Sequence, residues 1–169
     1  PKNQFEFGKD LKYSDFSGKN LENENFFGAD LRGSNFAGAI LTNADFRLAN
    51  LENTNFTDAK IDNIKLRQNN LKNADFTNVD FYHVDLTNVD FQNTILRNSD
   101  LSFKDLTRTN LYKADLTGAD LSASSIKSMY LRDTVLKDTD LTLAHVNDAT
   151  FGAGIAEYLS GTVLINADL

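Results

Sequence analysis

Residues 114–121 read Ala114-Asp115-Leu116-Thr117-Gly118-Ala119-Asp120-Leu121, the tripeptide ADL twice with two residues between. The unit is five residues long and runs on in both directions. A leucine, phenylalanine, isoleucine or valine stands at every fifth position from Leu11 to Phe151, 29 in succession. A helix repeats after about 3.6 residues and a strand after about two, so neither explains this period. A short fixed repeat over most of a chain marks a solenoid, in which each unit buries its apolar side only by stacking on its neighbours.

With the recurrent apolar residue written i, the other positions have their own compositions. Position i−2 is Ala, Ser, Thr or Val in 22 of the 29 repeats, i−1 is Asp or Asn in 20, and i+2 is Gly or Asn in 14. A large and a small residue two apart point to the same side of an extended segment. Gly and Asn tolerate positive φ, which a type II turn requires at its third residue. Asp or Asn at i−1 suits hydrogen bonding to its own turn. Each repeat is therefore expected to be a very short strand and a tight corner, with i and i−2 inward. From Leu11 to Phe56 the inward residue alternates between Leu and Phe. An even number of repeats per coil would stack Phe on Phe. Two repeats leave no interior and six leave too wide a hollow, so four repeats, or 20 residues, are expected per coil.

The pattern resembles the pentapeptide-repeat family, whose consensus is A(D/N)Lxx, over about residues 9–151. The resemblance implies an all-β fold, a right-handed quadrilateral parallel β-helix with four pentapeptides per coil. At about 4.8 Å per coil, such a chain would make about seven coils and a rod about 35 Å tall.

Breaks in the repeat carry their own expectations. Lys9, Lys19 and Glu24 occupy inward i−2 slots, where a buried charge is costly. The first coil is therefore expected to be splayed, or capped by residues 1–8 with Phe5 and Phe7 over the open end. Lys104 predicts a bulge in mid-rod, and Ile64 and Met129 are oversized for their slots. After Phe151 the next good centres are Leu159, Leu164 and Leu169, so residues 152–169 should hold a three-residue bulge and irregular repeats. The chain opens on Pro1 and closes on NADL in mid-pattern. That suggests a processed or longer protein, or an end-to-end homodimer through the bare end.

The 169 residues suit one domain, contain no cysteine and a single proline, and carry a net charge of −7. The charge argues against direct binding to nucleic acid. No apolar run approaches a membrane span of about 18 residues. His83 and His145 have no second ligand at metal spacing, and no phosphate-binding loop, nucleophile elbow or zinc motif occurs. No cofactor and no catalysis are expected.

Positions 20 apart should stack, which allows the surface to be read. One i−1 column contains Asp80, Asp100, Asp120 and Asp140, a ladder of carboxylates attractive to basic partners. Turn bonding alone would also account for it. The neighbouring i+2 column contains His83, Phe103 and Leu143, with Tyr82 beside it. Apolar groups there have no core role, so these eight residues form the candidate binding face. Lys12, Arg32, Lys72 and Arg132 form a basic column, and Arg47, Arg67 and Lys127 another; both suit solvated faces.

Two functions fit. The first is a non-catalytic protein–protein interaction scaffold of bacterial origin, or a domain of a larger or secreted effector. It would work in the bacterial cytoplasm or, as an effector, in a host cell. The alternative, implied by the quinolone-resistance members of the family, is a DNA mimic that binds a type II topoisomerase. Seven net charges over about 35 Å make one per ~5 Å, against one per ~1.7 Å in duplex DNA, which is sparse for a mimic.

Overall fold

The computed structural model describes residues 8–86, 88–107, 109–126, 131–146, 161–163 and 165. Its chain forms a parallel β-helix in which extended segments contribute single bridged residues rather than long strands. Asp10 pairs with Asp30, Asp15 with Asn35, Asn20 with Ile40, and Asn25 with Asp45, all parallel and all 20 residues apart. Four such columns arise, named here by their first inward residues: the Leu11, Phe16, Leu21 and Phe26 columns.

The repeat around Phe46 shows why this sequence adopts this fold. Five backbone N–H groups need acceptors, and each has one. Asp45 N–H donates to the Glu24 carbonyl one coil before (2.9 Å), and Phe46 and Leu48 donate to the Lys65 and Arg67 carbonyls one coil on (both 3.1 Å). Ala49 N–H closes the turn on the Phe46 carbonyl at 2.9 Å. The remaining donor, Arg47 N–H, bonds the Asp45 Oδ1 at 3.1 Å. The carboxylate or amide at i−1 thus completes the set, which explains why Asp and Asn dominate that position. The corner residue at i+2 is left-handed throughout, with φ from +52° at Asn98 to +75° at Gly161. His83 is the exception among the described residues.

The inside is apolar and closely packed. Rings in register stack at the coil spacing: Phe16 on Phe36 at 4.9 Å, Phe36 on Phe56 at 5.0 Å, Phe56 on Phe76 at 4.8 Å, and Phe26 on Phe46 at 4.6 Å. The two Phe columns meet edge to face, as at Phe26–Phe36 (5.6 Å, 84°). Small i−2 residues fill the corners, and buried hydroxyls there bond carbonyls, as Thr54 does on Leu51 and Thr139 on Leu116, though Thr109 Oγ1 is buried without a partner.

Two expectations about the breaks are corrected. The first coil is not splayed: Leu11 N–H already bonds the Asp30 carbonyl at 2.8 Å. Lys19 avoids burial by leaning outward, its Nζ 2.7 Å from the Asp15 carbonyl and over the Phe16 ring. Lys104 makes no bulge, because Asp105 still pairs with Ser125 at the 20-residue offset. Its stem instead carries the ammonium to the carbonyls of Tyr82 and, at 3.1 Å, Val84 in the coil before. Ile64 is buried in its slot. Near the end, Asp140 pairs with Val163, an offset of 23 residues. Residues 1–7 of the N-terminal cap expected at 1–8, the loop at 152–160, Met129, Lys127 and the closing NADL lie outside the described residues. Among the described residues, no helix is long and apolar enough to cross a membrane.

Candidate functional site

The four aspartates of the ladder do share a column: Asp80 pairs with Asp100, Asp100 with Asp120, and Asp120 with Asp140. Each carboxylate also serves its own corner, accepting the N–H of Tyr82 (2.7 Å), Ser102 (2.9 Å), Ser122 (2.8 Å) and Thr142 (2.8 Å). One oxygen of each carboxylate is thus committed to structure, and that of Asp140 also accepts the Thr142 hydroxyl.

Beside the ladder, Tyr82, Phe103 and Leu143 are 54%, 72% and 53% exposed. Phe103 and Leu143 hold left-handed φ values of 59° and 60°. That conformation costs a residue with a Cβ about 1–2 kcal/mol. Tyr82 and His83 rings meet edge to face at 4.8 Å. The structure therefore brings all eight candidate residues onto one side. It also adds residues that sequence reasoning missed. Lys104 Nζ lies 5.9 Å from the Tyr82 ring centre. Burial lowers the Lys104 pKa from the usual lysine value, while Asp80, Asp100 and Asp85 oppose the shift. Ile165, 61% exposed, extends the apolar side, its carbonyl accepting Leu143 N–H. Lys104 was legible only as an irregularity, and Ile165 was hidden by the phase slip.

The ladder of coils is interrupted next to this face. The Phe16 column runs unbroken, with Asn55 on Asp75 and Asp75 on Ile95. In the other three columns the steps from Lys60 to Asp80, Lys65 to Asp85 and Asn70 to Asp90 carry no bridge. Lys104 supplies one cause. Its ammonium occupies the Tyr82 carbonyl that Asn63 N–H would use in register. Two cavities open along the gap. One, of about 310 Å³, lies between Asn69, Leu71 and Lys72 and the facing Asp90, Gln92 and Asn93. There the Asn69 Nδ2 reaches the Ala49 carbonyl at 3.2 Å, while its Oδ1 is buried without a partner. The other, of about 300 Å³, lies on the Phe26 column. Among the described residues, no group of histidines and carboxylates is arranged to hold a metal ion.

Known proteins resemble the chain in both sequence and fold. Pentapeptide repeats match it in eight copies, over windows 10–42, 29–68, 58–93, 70–102 and 85–122. The chain belongs to the pentapeptide-repeat family. Among solved structures it is similar to a trypsin-treated form of QnrB1, a plasmid-mediated fluoroquinolone resistance protein. The identity is 19%, over 96% of this chain and 88% of that one, with a TM-score of 0.50. It is also similar to HetL, a protein involved in heterocyst differentiation regulation from the cyanobacterium Nostoc. There the identity is 17%, over 99% and 90% of the two chains, with a TM-score of 0.41. No curated protein matches it.

Proposed function

We propose that the chain is a non-catalytic protein-interaction scaffold of bacterial origin, working in the bacterial cytoplasm or as part of a secreted effector. The rod is read as a right-handed quadrilateral helix of about seven coils. Residues 1–8 would cap it, 9–151 would form its body, and 152–169 would hold the bulge. Its partner is a protein that meets the side bearing Tyr82, His83, Phe103 and Leu143, with Asp80, Asp100, Asp120 and Asp140 as a charged border. The observation that carries this reading is Phe103, an aromatic ring 72% exposed on a left-handed corner. A family with freedom to use Gly or Asn there gains nothing in stability from Phe, and interfaces are enriched in such rings. Cross-linked pull-down with wild type and Phe103→Asp tests it. Loss of a specific partner with unchanged melting supports the face, and equal capture by both proteins removes it.

The stacked Asp column supports a second reading, a DNA mimic that binds a type II topoisomerase. A gyrase supercoiling assay separates the two. Inhibition, or protection from a quinolone, that is lost when Asp100 and Asp120 are both changed to Asn favours the mimic. No effect at micromolar protein rejects it.

A further inference from the structure

We propose that the side bearing Phe103 seats one kind of partner, an amphipathic α-helix with a basic flank. This rests on the interaction face described above and names its occupant. Tyr82, Phe103, Ala123, Leu143 and Ile165 follow one another along the rod. Asp80 pairs with Asp100 in the next coil. From there the Phe103 N–H bonds the Ser122 carbonyl, Ala123 the Thr142 carbonyl and Leu143 the Ile165 carbonyl, at 2.8–2.9 Å. All three corners are left-handed, so their side chains project in register. Ala123 is half-buried, while Phe103 and Leu143, one coil to either side, are exposed. Large, small and large side chains on successive corners leave a dent over Ala123. Two coil steps make it about 10 Å from rim to rim, which one leucine or phenylalanine of a partner spans.

Hydrogen bonding within the strip decides the shape of the occupant. The corner N–H groups of Phe103, Ala123 and Leu143 are bonded between coils, and those of Ser102, Ser122 and Thr142 bond Asp100, Asp120 and Asp140. A partner meets side chains here and no open sheet edge, so it must satisfy its own backbone, as a helix does. The lengths agree. Tyr82 to Ile165 is four coil steps, about 19 Å, or about 13 residues of helix at ~1.5 Å each. One helical turn rises ~5.4 Å against ~4.8 Å per coil, so a helix inclined by about 27° offers one apolar residue to each coil. Charge sets the sign of its flank. Asp10, Asp30, Asp45 and Asp115 each have a cation within 3.0 Å. Among the described residues, the carboxylates of Asp80, Asp100, Asp120 and Asp140 bond only their own corners. Lys104 lies within electrostatic reach of Asp80 and Asp100, but its ammonium bonds the Tyr82 and Val84 carbonyls. An acidic edge along an apolar strip is matched by Lys or Arg on the facing flank of the helix, above all at Asp120 and Asp140.

Three stapled helical peptides of about 14 residues test the site by fluorescence anisotropy. One carries a leucine stripe flanked by lysines, the second the same stripe flanked by glutamates, and the third the lysine peptide in scrambled order. The lysine-flanked stripe should bind with a Kd below about 100 μM, and each control at least about tenfold more weakly. Ala123→Asn fills the dent with a residue common at these corners. It should melt no lower than wild type and weaken the lysine-flanked peptide at least about fivefold. No binding at about 1 mM, equal binding of either control, or an unchanged affinity in Ala123→Asn would each overturn the proposal. So would tighter binding of a proline-rich peptide, which assigns the face to an extended segment. A monomer–dimer equilibrium abolished by Phe103→Asp overturns it too, assigning the face to a second copy of the chain. Failure of the peptides beside a Phe103-dependent pull-down removes the helix and leaves the interaction face; loss of both removes the face.

Discussion

At the level of single residues, the corner position separates stability from function. Asn and Gly occupy most left-handed corners, and Asn side chains link successive coils, as Asn73 Nδ2 does with Asn53 Oδ1 at 2.9 Å. Phe103 does neither. Phe103→Asn is therefore expected to raise stability by about 1 kcal/mol while weakening partner capture. Thermal melting checks the first effect and pull-down the second. A fall in melting temperature would mean the ring has a structural role. The i−1 carboxylates set the acid limit. The Arg47 guanidinium holds Asp45 below the usual carboxylate range. Burial pushes Asp115 up, but the Thr117 hydroxyl and amide and the Arg97 guanidinium outweigh it, so its pKa is also lowered. A carboxylate depressed on folding contributes fully above its unfolded value of about 3.9 and loses that contribution as pH falls through the folded value. Melting temperature should thus be flat from about pH 5 to 8 and fall below about pH 4, and less steeply in a variant with Asp45→Asn and Asp115→Asn.

At the level of the coil, the stacked rings are the main cohesive element. Phe56 is fully buried between Phe36 and Phe76. Phe56→Ala should cost about 3–5 kcal/mol in chemical denaturation. Leu101→Asp, which places a charge in an equally buried slot, should cost at least as much. These effects were legible in the sequence. The alternation of Leu and Phe requires an even coil, and the rings lie one over another at that step. The ladder of Asp80 to Asp140 was legible by the same counting. The gap was not. Two side chains there, Lys104 and Asn69, bond backbone carbonyls that the register would otherwise use, and a composition rule has no means to describe that exchange. Its traces were nevertheless present. Ile64, Asn69 and Lys104 stand in slots meant for small residues, and His83 stands in a slot meant for Gly or Asn. Singly, each is no more than a departure from the consensus at its own position. Their clustering in adjacent coils is visible only once the chain is wound.

For the whole molecule, the coils on the two sides of the gap are joined by inward packing and one continuous column. Amides of Ile61, Leu66 and Leu71 should exchange with solvent deuterium at least about tenfold faster than those of Leu41, Phe46 and Leu51, their counterparts one coil earlier. Equal protection would mean that the gap closes in solution. The unbroken Phe16 column has a mechanical consequence. A bar notched through most of its circumference yields in one plane only, about the ligament left intact. Bonded on one side and open on the other, this protein should flex in the same directional way, its two halves tilting about the line from Asn55 to Ile95. Whatever fills the notch would act as a wedge and hold the two halves at a set angle.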